Sequence, residues 1–203
     1  MQVVTDLPKA FVRYQQIGGV LDFAILHDAE GDDAEAVAAM ALCVPGWRAH
    51  MTGALAPRPM AWSAFLGDWC DAATGALVKL GSYTTTDGRL LVDPTLTDLQ
   101  GLQIVNGGGQ IPEVGEGGFA YAFSSPPYGL RAEPDKVQAL FAAICEHIRP
   151  AGLEYRIVDW SSPRLAEVSE YFKAGLEWWG VFLFTIHIPA RRQLTVIFGS
   201  TTD

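Results

Sequence analysis

The chain has 203 residues, a formal net charge of −9 and a sequence pI of about 4.8. Hydrophobic residues make up 49% and charged residues 18%, which excludes a disordered chain because there is ample material for a core. Nucleic acid is disfavoured as a partner because an acidic surface repels phosphates. We expect one domain over residues 1–203, with a possible subdivision into a less regular layer, 1–118, and an α/β half, 119–203.

The cysteines and the apolar segments bear on localisation. The three cysteines are odd in number and lack zinc-type spacing, so we expect free thiols in a reducing compartment. No apolar stretch approaches the ~20 residues that span a bilayer, and residues 1–9 lack a signal-peptide pattern. We therefore expect a cytoplasmic protein without a membrane partner.

The predicted elements begin with a strand over residues 20–27 and a helix over 32–43. Acidic residues in the first turn of this helix favour its dipole. The acid-rich run 27–33 between the two elements lacks the spacing of a calcium loop, so we predict a solvated loop and no metal site.

The next elements are less regular. A helix is predicted over residues 60–73, where apolar side chains share one face, and a hairpin is predicted at the turn dipeptide Asp87-Gly88. Residues 97–105 fit a short helix or a strand equally well. Residues 106–118 hold six glycines, which predicts a flexible loop.

From residue 119 the pattern is sharper. The predicted elements are a strand over 119–123, a helix over 134–149, a strand over 153–160, a helix over 162–175, and strands over 178–188 and 193–199. Alternating strands and helices imply parallel pairing with right-handed crossovers, and the closing hairpin implies an antiparallel edge. The fold prediction is therefore α+β or α/β, with a mixed, partly parallel sheet built from β-α-β-α-β-β in residues 119–199.

The loop that follows residues 119–123 is the candidate binding site. Ligands of open α/β sheets bind at the carboxyl ends of strands, and two consecutive prolines stiffen this loop and leave its carbonyls free. Tyr128 offers a flat face for stacking. The candidate binding residues are Gly107, Gly108, Ser124, Ser125, Pro126, Pro127 and Tyr128, of which Ser125 and Tyr128 are also candidates for catalysis.

A strand that ends in Ser-Pro-Pro-Tyr resembles the catalytic motif of the S-adenosylmethionine-dependent amino-methyltransferases, which modify exocyclic nitrogens of bases. The resemblance implies that Ser125 binds the target amine, that Pro126 and Pro127 shape the loop, and that Tyr128 stacks on the base. It covers about residues 119–199, and it implies S-adenosylmethionine as the cofactor.

Two functional interpretations follow from these observations. The first is a protein that binds a small molecule or a protein partner near the glycine-rich loop and residues 124–130. The alternative is a methyltransferase-like enzyme that uses the same loop. Trp178 and Trp179 are predicted on a strand, where neighbours point to opposite faces, so we expect one of them to be exposed and to indicate a protein partner or a homo-oligomer.

Overall fold

The computed structural model describes residues 1–113 and 116–201. Its α-helices are α1 (Lys9–Gln16), α2 (Asp33–Cys43), α3 (Trp62–Leu66), α4 (Gly118–Ser124), α5 (Pro134–Ile148) and α6 (Leu165–Val168). Short 3-10 helices span Ala49–Ala54, Leu96–Leu99, Glu170–Glu177 and Pro189–Arg191. Among these described residues, no helix has the length and apolar character that crossing a bilayer requires.

The strands form one large sheet and two small ones. They are β1 (Gln2–Val3), β2 (Asp22–His27), β3 (Arg58–Met60), β4 (Cys70–Asp71), β5 (Ala76–Leu77), β6 (Gly81–Thr85), β7 (Leu90–Val92), β8 (Ile104–Gly109), β9 (Arg156–Asp159), β10 (Val181–Ile188) and β11 (Gln193–Ser200). The large sheet has the order β1-β2-β11-β10-β9-β3, and each neighbouring pair is antiparallel.

The predicted partly parallel sheet is therefore wrong, and the fold is α+β with antiparallel sheets. The β10–β11 hairpin is confirmed, but it lies at the centre of the sheet instead of its edge. The helical connection between β9 and β10 returns the chain beside β9 in the opposite direction. Alternation of strands and helices along the chain thus did not imply crossovers, because a helix can also join two antiparallel neighbours.

The strand predicted over residues 119–123 is also wrong, because these residues belong to helix α4. All residues from Phe119 to Ser124 are buried. A short apolar run that is buried on every side has no periodicity, so a helix and a strand cannot be distinguished from it. As a consequence, residues 124–130 follow the end of a helix instead of the carboxyl end of a strand.

Both faces of the large sheet are covered. In β10, Phe182, Phe184 and Ile186 belong to a core cluster with α1, α3, α4 and α5. Val181 and Leu183 belong to a second cluster with α2 and α6. Burial on both faces explains why β10 is apolar except at Thr185 and His187, a pattern typical of parallel sheets but here found in an antiparallel one.

Several local predictions are confirmed with shorter bounds. Strand β2, helix α2 and helix α5 form where predicted, and β6 and β7 pair across the Asp87-Gly88 turn. The predicted glycine-rich loop is wrong over Asn106–Gly109, which pairs with β6, while residues 114 and 115 lie outside the described residues. The single domain stays a prediction; each core cluster contains residues from both sides of residue 118.

The predicted helix over residues 60–73 ends early, at Gly67. This glycine has φ 73° and ψ −176°, and a Cβ there would lie 2.5 Å from the carbonyl oxygen of Gly117. Likewise, a Cβ on Gly118 would lie 2.8 Å from the carbonyl oxygen of Leu66. The end of α3 and the beginning of α4 therefore meet backbone to backbone, which requires glycine on both sides.

We expect Gly67→Ala to lower the free energy of unfolding much more than Gly75→Ala. Both glycines have positive φ, 73° and 75°, so both substitutions introduce backbone strain on the order of 1–3 kcal/mol. Only Gly67 has backbone atoms where the new Cβ would lie, since no heavy atom lies within 4 Å of the Cβ position at Gly75. Urea unfolding of the two variants measures the difference; equal losses would contradict the close approach of α3 and α4.

Candidate functional site

The C-terminal end of α4 is held by side chains from other parts of the chain. The last carbonyls of a helix have no partner inside it and usually accept from the N–H groups that follow. Here the next residues after Ser125 are prolines, which have no N–H. Side chains donate to these carbonyls instead. Tyr14 Oη donates to the Phe123 carbonyl at 3.2 Å, and Lys79 Nζ donates to the Ser124 carbonyl at 3.2 Å. Trp179 Nε1 donates to the Ser125 carbonyl at 2.9 Å.

Lys79 has a second contact at this position. Its Nζ lies 3.0 Å from Ser125 Oγ and 5.6 Å from the centroid of the Trp69 ring. Lys79 takes part in none of the ion pairs that the described residues form. Burial therefore lowers the pKa of Lys79 to about 8, because little compensates the charged form for the water it loses.

Two cavities meet at Lys79 and Ser125. The first has a volume of about 360 Å³ and is lined by the 124–127 segment and by apolar side chains that include Leu96, Leu130 and Val137. The second has a volume of about 330 Å³ and aromatic walls from Trp69, Tyr83, Tyr121 and Trp178. Lys79, Ser125, Pro126 and Pro127 line both. We call the second cavity the aromatic cleft.

The structure brings together only part of the predicted site. Ser124 lines the first cavity, and Ser125, Pro126 and Pro127 line both. Tyr128 is 72% exposed and lines neither of these two cavities. Gly107 and Gly108 lie in β8 paired with β6; their neighbour Gly109 lines the aromatic cleft instead.

Sequence reasoning missed Lys79. One signal could have found it: a single lysine interrupts the apolar run 76–80, and a cation in such a run must find a partner or a cavity. One tryptophan of the pair was expected to be exposed, and it is Trp178, while Trp179 is buried. The reason is different from the predicted one, because the strand begins at Val181 and does not include either residue.

The methyltransferase resemblance loses one of its premises. It required a strand before the Ser-Pro-Pro-Tyr motif, whereas Ser125 follows helix α4 and the neighbouring large sheet is antiparallel. The residue assignments that the resemblance implies, and S-adenosylmethionine as cofactor, stay predictions.

Comparisons with known proteins add no relatives to this description. No family model matches the chain, and searches of curated proteins and of solved structures returned no match.

We expect Trp179→Phe to destabilise the protein by at least ~1–3 kcal/mol, since it leaves the Ser125 carbonyl without its donor. The adjacent Trp178→Phe is the matched control, because Trp178 is 38% exposed and the substitution removes the same atoms. Chemical denaturation of both variants measures the contrast. A loss of stability as large in Trp178→Phe as in Trp179→Phe would argue against the role assigned to the Trp179 bond.

The lowered pKa of Lys79 predicts a pH dependence of stability. Its ordinary value of 10.5 applies to the unfolded chain, and about 8 applies to the folded protein. Between these pH values the unfolded state binds more protons, so the free energy of unfolding rises with pH. The difference in the free energy of unfolding between wild type and Lys79→Met isolates this contribution. We expect this difference to increase in favour of wild type as the pH rises from 8 to 10.5. A difference that stays constant over this range would refute the shift.

Proposed function

We propose that the protein binds a small aromatic molecule with an oxygen acceptor, and that the aromatic cleft is its site. The supporting observation is the position of Lys79 Nζ in the wall of this cleft, 5.6 Å from the centroid of the Trp69 ring and 3.0 Å from Ser125 Oγ. A mostly apolar cavity with a few convergent polar groups is the usual form of a small-molecule site. Its volume of about 330 Å³ is at the small end of such sites.

The charge of Lys79 selects among ligands. A buried ammonium is costly unless an anion or a strong acceptor lies beside it, and Lys79 has a carbonyl and a hydroxyl as its bonded partners. A ligand carboxylate or carbonyl oxygen would add the missing acceptor. The aromatic side chains would contact the planar part of the same ligand, as in offset or edge-to-face pairs.

The other functional interpretations stay predictions. A protein partner or a homo-oligomer is supported by the exposure of Leu90, Val92 and Val105 on the three-stranded sheet, where each is more than half exposed. The methyltransferase alternative would use the same loop, residues 125–128. The small-molecule site is preferred because the cavities, the cation and the hydroxyl lie together.

The test uses 4-hydroxybenzoate as the probe and 4-hydroxybenzyl alcohol, which lacks the carboxylate, as its control. We expect the benzoate at millimolar concentration to shift the indole N–H resonances of Trp69 and Trp178. The indole of Trp160 is the internal reference, because it is buried and donates to Thr185 Oγ1 at 2.9 Å. Lys79→Met should weaken benzoate binding roughly 10-fold, as expected for the loss of a hydrogen bond to a charged group.

Two results would reject this proposal. In the first, the benzoate at millimolar concentration shifts the Trp69 and Trp178 resonances no more than the alcohol does. In the second, the Trp160 resonance shifts as much as theirs, which would indicate a general effect on the protein instead of binding in the cleft.

A further inference from the structure

We infer that Ser125 is a nucleophile and Lys79 its general base, and that the aromatic cleft takes aryl esters for acyl transfer to Ser125. This inference rests on the proposed binding of a small molecule in that cleft and adds a reaction to it. A serine activated by a neighbouring lysine is an established alternative to activation by histidine. The arrangement here has the required parts: a hydroxyl, an amine in contact with it, and a cavity that both line.

The hydrogen bonds orient the amine for this role. A neutral lysine has two N–H donors and one lone pair. The Ser124 carbonyl, 3.2 Å from Lys79 Nζ, accepts one donor, so the lone pair can accept the hydroxyl proton of Ser125, whose Oγ lies 3.0 Å away. The Ser125 backbone is fixed on both sides, because its N–H donates to Tyr121 O at 2.9 Å and its carbonyl accepts from Trp179.

The reaction conserves atoms and protons. Ser125 Oγ attacks the ester carbonyl carbon while its proton passes to the lone pair of neutral Lys79. The bond between that carbon and the aryl oxygen then breaks, and the Lys79 ammonium returns the proton to the leaving aryloxide. Water attacks the resulting acyl-serine in the same way. Its proton goes to Lys79 and on to Ser125 Oγ, and the carboxylic acid is released.

The two prolines after Ser125 remove backbone donors from this reaction. The residues after Ser125 are Pro126 and Pro127, so neither can donate a backbone N–H to the oxyanion of the tetrahedral intermediate. Loss of one such donor costs about 100-fold to 1,000-fold in rate. Gln110 and Tyr83 line the aromatic cleft and carry side-chain donors there. Missing donors slow acylation and deacylation alike, but an aryloxide leaves the tetrahedral intermediate much more readily than the serine alkoxide does. We therefore expect deacylation to be the slower step, so that the acyl-serine accumulates and can be detected.

The experiment treats the whole protein with 4-nitrophenyl acetate and follows nitrophenolate release together with the mass of the protein. We expect an initial burst and one acetyl group on Ser125, located by fragmentation of the peptide. The rate of acetylation should increase with pH with a midpoint near 8, where the buried amine becomes neutral. Ser125→Ala should abolish the burst.

Two further variants separate catalysis from folding. Lys79→Arg keeps the charge and the donors toward the Ser124 carbonyl but cannot accept a proton, so it should slow acetylation of Ser125 by roughly 100-fold or more. Ser63→Ala is the control, because Ser63 is exposed and lines neither of the two cavities at Lys79. It should be acetylated nearly as fast as wild type. Circular dichroism and thermal unfolding verify that each variant is folded.

The inference is overturned if acetyl groups appear on surface lysines and not on Ser125, or if folded Lys79→Arg reacts as fast as wild type. If benzoate still shifts the Trp69 and Trp178 resonances in that outcome, binding in the cleft stands and the nucleophile is rejected alone. Absence of both the shifts and the acetyl-serine rejects the two proposals together.

Discussion

The end of helix α4 is the constraint on which the rest of the structure depends. Its apolar residues must be buried, and the two prolines that follow Ser125 leave its last carbonyls without backbone donors. Tyr14 from α1, Lys79 from the segment before β6, and Trp179 from the segment before β10 provide the missing donors. The requirement of one helix end therefore connects three distant parts of the chain, and the candidate site forms where they meet.

Local signals in the sequence predicted the elements that local chemistry determines. Helix α5 has a proline in its first turn and a regular apolar face, and the β10–β11 hairpin consists of two long apolar strands around a short connection. Pairing of distant strands has no such signal. The order of the large sheet depends on contacts such as Leu26 with Leu194, and burial on both faces removed the alternation that distinguishes antiparallel strands.

Only part of the candidate site could be predicted from the sequence, because contacts between distant segments have no local signal. The diproline after Ser125 is a local feature, and it marked a loop that does line two cavities. The partner of Ser125 is 46 residues away in the sequence, and no periodic pattern brings Lys79 to it. The aromatic walls come from Trp69, Tyr83, Tyr121 and Trp178, which the sequence pattern predicted in a helix, a hairpin and two strands. The sequence shows that the end of α4 needs hydrogen-bond donors. The packing of distant segments determines which side chains provide them.

The central position of the β10–β11 hairpin has a consequence for synthesis on the ribosome. The order β1-β2-β11-β10-β9-β3 consists of two pairs of strands with this hairpin between them. Until residues 181–200 emerge, β2 and β9 each expose an unpaired edge, and the apolar residues meant for the centre of the sheet are not yet present. The sheet therefore closes late, through contacts of large sequence separation, and until then the nascent chain exposes strand edges and apolar surface that favour aggregation.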